Sequence, residues 1–205
     1  TKAQSLVIGI SGGIDSSVSS VLSAMTGLKT IVLSMPIKQK LSQHNLSLKH
    51  QEWLIKNFKN VEAHTLELDK LFDNFKSTLS KFENEHGMAN SKARLRMTTL
   101  YQVAAANKGI VVGTGNKVED FGVGFYTKYG DGGVDLSPIA DLMKSEVYQL
   151  AAYLNVPNSI QEAQPTDGLF GDSRTDEDQI GASYEELEWA MKEKDFGNKS
   201  FEYSG

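Results

Sequence analysis

Apolar and polar positions along the chain fall into alternating blocks of two periodicities. Leu6-Val7-Ile8-Gly9-Ile10 is a short, continuously apolar run, as in a strand buried on both faces, and Ser16 to Thr26 then carries apolar residues at helical spacing. Thr30 to Met35 reads as a second buried strand stopped by Pro36, Leu46 to Phe58 as a helix, Val61 to Leu66 as a third strand, and Asp69 to about Phe82 as a helix. Ser91 to Asn107 has Leu95, Leu100, Val103 and Ala104 on one side and ends at Lys108-Gly109, a cation then a glycine, as helix C-termini often do. Ile110-Val111-Val112 is the fourth buried strand, and Gly113 to Pro138 is glycine-rich and irregular. A helix resumes over Met143 to Leu154 behind an N-cap at Asp141, and residues 161–182 read as a mobile acidic loop. Ser183-Tyr184-Glu185-Glu186 is a capping box that opens a last helix through Met191. This alternation predicts an α/β fold of one domain over residues 1–205. It is a three-layer sandwich with a central parallel sheet, helices on both faces and ligands at the C-terminal ends of the strands.

Composition narrows the function. The chain has no cysteine, which excludes Cys-ligated zinc, iron–sulfur clusters, thiol nucleophiles and persulfide carriers, and nothing points to an oxidising compartment. No apolar run approaches the roughly 20 residues of a membrane helix, and the first residues carry no signal-peptide pattern, so the expectation is a cytoplasmic protein without a membrane partner. Charge is uneven: residues 161–205 hold 12 acidic and 4 basic side chains, leaving 14 acidic and 17 basic in residues 1–160. The mildly basic body lacks the dense Lys/Arg stripe of a duplex-binding surface, so no nucleic-acid partner is expected, whereas a small polyanion with a few phosphates suits it.

Gly9 to Ser17, with Ser11-Gly12-Gly13-Ile14-Asp15-Ser16 at its centre, joins a buried strand to a helix, where backbone N–H groups and the positive helix end can hold a phosphate. It is shorter than a Walker A loop and has no Lys before the Ser, and it contains no GxGxxG. A carboxylate at Asp15 beside bound phosphates implies an intervening Mg²⁺. The plainer alternative is a tight βα turn in which Asp15 or Ser16 only caps the helix. The loop resembles the phosphate loop of the N-type ATP pyrophosphatase superfamily, whose members cleave ATP between the α and β phosphates. The missing cysteines argue against its thiolating branch.

A second glycine cluster, Val111 to Glu119 followed by Gly124-Phe125-Tyr126-Thr127-Lys128-Tyr129-Gly130-Asp131-Gly132-Gly133-Val134-Asp135, is similar to that of ammonia-dependent NAD synthetases. Asn90-Ser91-Lys92-Ala93-Arg94-Leu95-Arg96-Met97 and Pro165-Thr166-Asp167-Gly168 match the same family in the same order, so the resemblance covers nearly the whole chain. It implies an adenine nucleotide alpha hydrolase-like fold and amidation of deamido-NAD with ammonia, through an adenylated intermediate with release of pyrophosphate and AMP. The resemblance assigns ATP to Gly9, Ile10, Ser11, Gly12, Gly13, Ile14, Asp15, Ser16, Gln39, Thr114, Lys144 and Thr166, with Mg²⁺ on Asp15 and Glu119. Deamido-NAD falls to Asn90, Arg94, Tyr101, Phe125, Lys128, Asp131 and Asp135, with Phe125 against the nicotinate ring. Asp131, as holder of an incoming ammonium ion, and Lys144, as a point charge on phosphates, are the catalytic candidates.

The family is homodimeric with a shared substrate site, to which Asn90, Tyr101 and Ile110 correspond. Read locally, the alternatives are a solvated loop carboxylate at Glu119, a surface turn at Gly130 to Gly133, a core residue at Tyr101, a solubilising helix residue at Lys144 and a surface or ion-pairing arginine at Arg96. The four histidines form no metal-ligand spacing and read as structural or surface residues, and Trp53 and Trp189 as packing residues. Three departures from the family stand out. Ser34 occupies a position where relatives often carry arginine, and the spacing from Glu119 to Phe125 is one residue longer than in many of them. The helix expected before the first strand and the basic, His-containing C-terminal segment are not matched. The rival readings are another adenylating ligase, such as a GMP-synthetase-like ATPase, and a non-catalytic adenine-nucleotide-binding module.

Overall fold

The computed structural model describes residues 2–39, 41–165 and 175–195. Four parallel strands, β1 (Ser5–Gly9), β2 (Lys29–Ser34), β3 (Val61–Thr65) and β4 (Gly109–Val112), form one sheet in the order β3-β2-β1-β4. Because the chain steps outward from β1 to β3 and then returns to β1's other side, the order reverses between β1 and β4. Loops leaving those two strands diverge there and open a crevice.

Successive residues of each strand feed opposite faces, so a continuously apolar run builds two cores. Leu6 and Ile8 of β1, Val32 of β2 and Val112 of β4 pack with α1 (Ile14–Met25), Leu54 of α2 (Leu41–Asn57), Val147 and Ala151 of α5 (Lys144–Tyr153), and Ile160 of α6 (Asn158–Gln161). Val7, Ile31, Leu33 and Val111 face the other way, onto Phe72 of α3 (Asp69–Thr78) and Ala104 of α4 (Glu85–Ala106). The expected three-layer parallel architecture is therefore the observed one.

Several boundaries differ from the sequence reading. Helix α4 starts six residues before Ser91, because the Asn84 side chain accepts the Gly87 N–H and caps it there. The cap of α5 is at Met143 and not at Asp141: the Met143 N–H donates to Glu146, three residues on. Within the expected acidic loop over 161–182, Gln161 ends α6, and Asp176–Ile180 forms α7, held by a box in which the Thr175 N–H meets the Asp178 carboxylate and the Asp178 N–H meets the Thr175 hydroxyl. The capping box at Ser183 and Glu186 forms as expected and starts α8 (Tyr184–Asp195).

The glycine-rich stretch after β4 also holds an element that apolar spacing did not reveal, a π-helix over Lys117–Val123. Its i→i+5 bonds enclose one more residue than an α turn does. Gly124, at a φ of 72°, ends it and donates its N–H to the Glu119 carbonyl. Among the described residues, no helix is long and apolar enough to cross a membrane.

Candidate functional site

A cavity of about 570 Å³ occupies the crevice between β1 and β4. Its floor is the loop after β1. Gly12 adopts a φ of 91°, a left-handed conformation that glycine enters without cost, and it turns the chain so that Gly13 caps α1. The first N–H groups of α1 lack helical acceptors and stand at the positive end of the helix dipole. Hydroxyls lock the turn: Ser16 and Ser17 donate to the Gly13 carbonyl at 3.0 and 2.9 Å, and the Gly13 N–H donates to Ser11 Oγ at 3.1 Å. The result is a preformed anion cradle lined by Gly9, Ile10, Ser11, Gly13, Ile14 and Ser16. Gly12 supplies its geometry and does not line the cavity.

Beside the cradle lies a charged cluster assembled from three parts of the chain. Lys144 Nζ, with its side chain 2% exposed, donates to Asp15 Oδ2 at 2.7 Å and to Glu119 Oε1 at 2.8 Å. Asn116, fully buried, donates from Nδ2 to Asp15 Oδ1 at 3.0 Å and accepts the Glu119 N–H at 3.0 Å, which ties the π-helix to the cradle. Burial alone would lower the Lys144 ammonium, but Asp15 and Glu119 hold it well above the usual lysine range, so it stays charged. Burial lifts the Asp15 carboxyl above its ordinary range against the pull of Lys144. It pushes Glu119 the same way, but there Lys144, Tyr184 and Asn116 prevail and keep it below the usual range.

Two hard carboxylates thus converge on a buried cation, and this donor set fits Mg²⁺. No cluster of three or more His, Asp or Glu side chains suited to a metal occurs among the described residues. Two protein oxygens completed by phosphate oxygens and water is the mode Mg²⁺ favours.

The third wall is the segment Phe125 to Val134, pinned to α4. Thr127 Oγ1 donates to Asn90 Oδ1 at 2.6 Å, the Thr127 N–H donates to Asp131 Oδ1 at 3.0 Å, and Gly130 sits so close to Ala93 and Thr127 that a Cβ would overlap them. Phe125, Asp131 and Asn90 line the cavity here, as Gln39, Thr114, Asp15, Glu119 and Lys144 do elsewhere in it.

The remaining predicted residues lie differently. Arg94 is exposed, outside the cavity, and its Nε donates to the Lys128 carbonyl at 3.2 Å. Tyr101 donates to Asp135 Oδ1 at 3.1 Å, while Asp135 Oδ2 accepts the Val111 N–H at 2.7 Å and so satisfies the sheet edge. These four residues make no part of this chain's cavity wall. Thr166 is outside the described residues.

Sequence reasoning overlooked Asn116, Asp120, Arg96, His86 and Tyr184. Arg96 lines the cavity where Arg94 does not, its Nε donating to the Met35 carbonyl at 2.9 Å beyond the end of β2, and His86 lines it from the first turn of α4. Asn116 carried a readable signal, an Asn placed three residues before the first acidic residue of a new turn. Asp120 is packed so tightly on Gly115 that a Cβ there would overlap its carboxylate. Burial and the charges of Asp131, Glu119 and Asp15 push it up to about 7.

The profile of the NAD synthase family matches residues 1–202. The NH(3)-dependent NAD(+) synthetase of Thermoplasma acidophilum is 39% identical over 199 residues, spanning 91% of this chain and 76% of that protein. Among solved structures, the NMN synthetase from Francisella tularensis superposes with a TM-score of 0.87 at 35% identity, covering 97% of this chain and 80% of that one. The NH3-dependent NAD synthetase from Campylobacter jejuni, in complex with the nitrate ion, gives a TM-score of 0.70 at 28% identity, covering 100% and 91%.

Proposed function

The chain belongs to the NAD synthase family, and from that premise we propose the chemistry of its cavity: ATP-dependent amidation of deamido-NAD by ammonia to give NAD, with release of AMP and pyrophosphate. The observation that carries this reading is the convergence on one cavity of an anion cradle, a buried two-carboxylate cluster and a glycine-rich wall bearing Phe125 and Asp131. An adenine-nucleotide-binding module has no use for the last two.

In the first step an oxygen of the nicotinate carboxylate bonds to the α-phosphorus of ATP, and the bond from that phosphorus to the α–β bridging oxygen breaks. The nucleophile is already an anion and needs no base. Charge develops on the departing pyrophosphate, where the N–H groups at the start of α1 and the Lys144 ammonium stabilise it. Asp15 and Glu119 would hold Mg²⁺, which supplies further neutralisation of the phosphate charge. Lys144 faces the phosphates from its place between Asp15 and Glu119, and Mg²⁺ on the same carboxylates would offset their charge.

In the second step the lone pair of ammonia attacks the acyl carbon, the bond to the AMP oxygen breaks, and the surplus proton on the new C–N nitrogen passes to solvent. Asp131 lines the cavity on the same wall as Phe125. Asp131 holds the arriving ammonium ion and takes its proton. Positioning of two large substrates supplies much of the remaining acceleration. Arg94, Tyr101, Lys128 and Asp135, grouped outside the cavity, meet the far half of the dinucleotide in a homodimer whose partner closes the site.

A second reading concerns the size of the substrate. The chain is similar to an NMN synthetase as well as to an NAD synthetase, which brings in amidation of nicotinate mononucleotide at the same centre. One experiment tests both: ATP, Mg²⁺ and ammonium are mixed with equimolar deamido-NAD and nicotinate mononucleotide, and products are followed by mass spectrometry. NAD and AMP formed in equal amounts are expected, with no turnover when glutamine replaces ammonium. NMN as the dominant product would replace the dinucleotide by the mononucleotide, and ATP cleavage without either amide would overturn the family chemistry for this chain.

A further inference from the structure

Glu119 is held from two directions. Its Oε1 accepts not only Lys144 but also the Tyr184 hydroxyl, at 2.6 Å, from a helix 65 positions later in the chain. The same tyrosine ring lies over the Lys144 ammonium, with Nζ 4.9 Å from the ring centroid. Helix α8 has its own anchors: Glu188 accepts the Ser145 N–H at 2.7 Å and the Ser145 hydroxyl at 2.6 Å, and the Tyr184 N–H donates to Glu177 at 2.8 Å. At Gly122 of the π-helix, a Cβ would run into Met191 of α8. Helix α8 therefore grips the two elements that carry Lys144 and Glu119, and Tyr184 is its only side chain, among the described residues, bonded to either group.

We propose that Tyr184 is a positioning residue for the metal–nucleotide complex: its hydroxyl, donated to Glu119 Oε1, fixes the rotation of that carboxylate, and its ring keeps Lys144 beside it. A glutamate has several rotatable bonds; Asn116 fixes its N–H and interacts with its carboxylate from within the same turn, whereas Lys144 and Tyr184 hold Oε1 from distant elements. Pinning Oε1 with two donors sets the direction in which the second oxygen points. A phenol serves this purpose because its hydroxyl, 2.6 Å from an acceptor-only carboxylate oxygen, can meet it only as a donor. The ring on Lys144 adds a cation–π contact that costs no second anion in an already acidic pocket.

The proposal rests on Glu119 as a ligand of Mg²⁺, and the test separates the two. Mn²⁺ serves as the probe, titrated by electron paramagnetic resonance against the whole chain loaded with α,β-methylene-ATP, for wild type, Y184F, E119Q and the double variant. Y184F keeps the ring and removes the hydroxyl, and thermal melting verifies its fold. Expected results are an affinity about 10-fold weaker in Y184F, a larger loss in E119Q, and no additional loss in the double variant, because the hydroxyl acts only through Glu119. In steady state, Y184F raises the metal requirement while KM for the nicotinate substrate stays within twofold. Unchanged Mn²⁺ affinity in Y184F with a clear loss in E119Q overturns the role of Tyr184 alone. Additive losses do the same, and unchanged affinity in E119Q overturns the metal site together with it.

Discussion

The two walls of the nucleotide cavity are built by different physics. In the cradle after β1 every side-chain bond that shapes the turn spans two to five positions, and the groups offered to a ligand are backbone N–H donors and small hydroxyls. In the cluster beside it the bonds span 25, 65, 101 and 129 positions, and the groups are charged and largely buried. The first wall is stabilised by chain geometry and is expected to tolerate the loss of any one hydroxyl. The second is a mutual arrangement of desolvated charges, in which removing one member strands the others.

Lys144→Met gives the largest expected contrast. It leaves Asp15 and Glu119 facing each other without a cation, which costs about 3–5 kcal/mol by analogy with other broken buried pairs and lowers kcat about 1000-fold or more. Chemical denaturation with and without Mg²⁺ sharpens the point. Millimolar Mg²⁺ is expected to restore part of the stability of the variant and to do little for wild type, whose site already contains a cation. Equal effects of Mg²⁺ on both would break the comparison.

Gly12→Ala probes the other wall and has a smaller expected effect. A side chain at a φ of 91° costs about 1–2 kcal/mol, and the reshaped turn is expected to weaken ATP binding by about 10-fold in calorimetry without altering the response to Mg²⁺. A shifted metal requirement in this variant would show that the two walls are not separable.

The smallest effect is a pH dependence confined to the charged wall. In the metal-free protein Asp120 is pushed up to about 7 from an ordinary 3.8, so between these values the folded chain keeps a proton that the unfolded chain releases. Stability therefore falls as pH rises from about 4 to about 7. Asp120→Asn removes this slope, and its gain in melting temperature over wild type is expected to be greater at pH 8 than at pH 5. A gain independent of pH would show that the charge of Asp120 is not strained by its neighbours.

The same contrast explains what was legible before the structure. The cradle could be read because its residues are contiguous and its neighbours are a buried strand and a helix, both marked by apolar periodicity. Lys144, Glu119 and Asp131 entered through family likeness. Their spacing alone left a solvated loop or a helix surface as alternatives, since no local rule relates Lys144 to Asp15 across 129 positions. The choice between Arg94 and Arg96 turned on helix rotation: two positions apart on α4, one faces the cavity and the other the outer surface. The π-helix escaped because its i→i+5 period matches no apolar repeat, and α7 because its composition is that of an acidic loop.

The amino-acid order determined the alternating elements, the two-faced burial of the strands, the phosphate turn and the family likeness, all properties set by near neighbours or by apolar period. Only the tertiary structure decided that Lys144 bridges Asp15 and Glu119, that Asn116 ties the π-helix to the cradle and that Tyr184 reaches back from α8 to hold Glu119. These contacts join side chains whose separation along the chain carries no distance information. The sheet order and the docking of helices on its two faces alone bring them within hydrogen-bond reach.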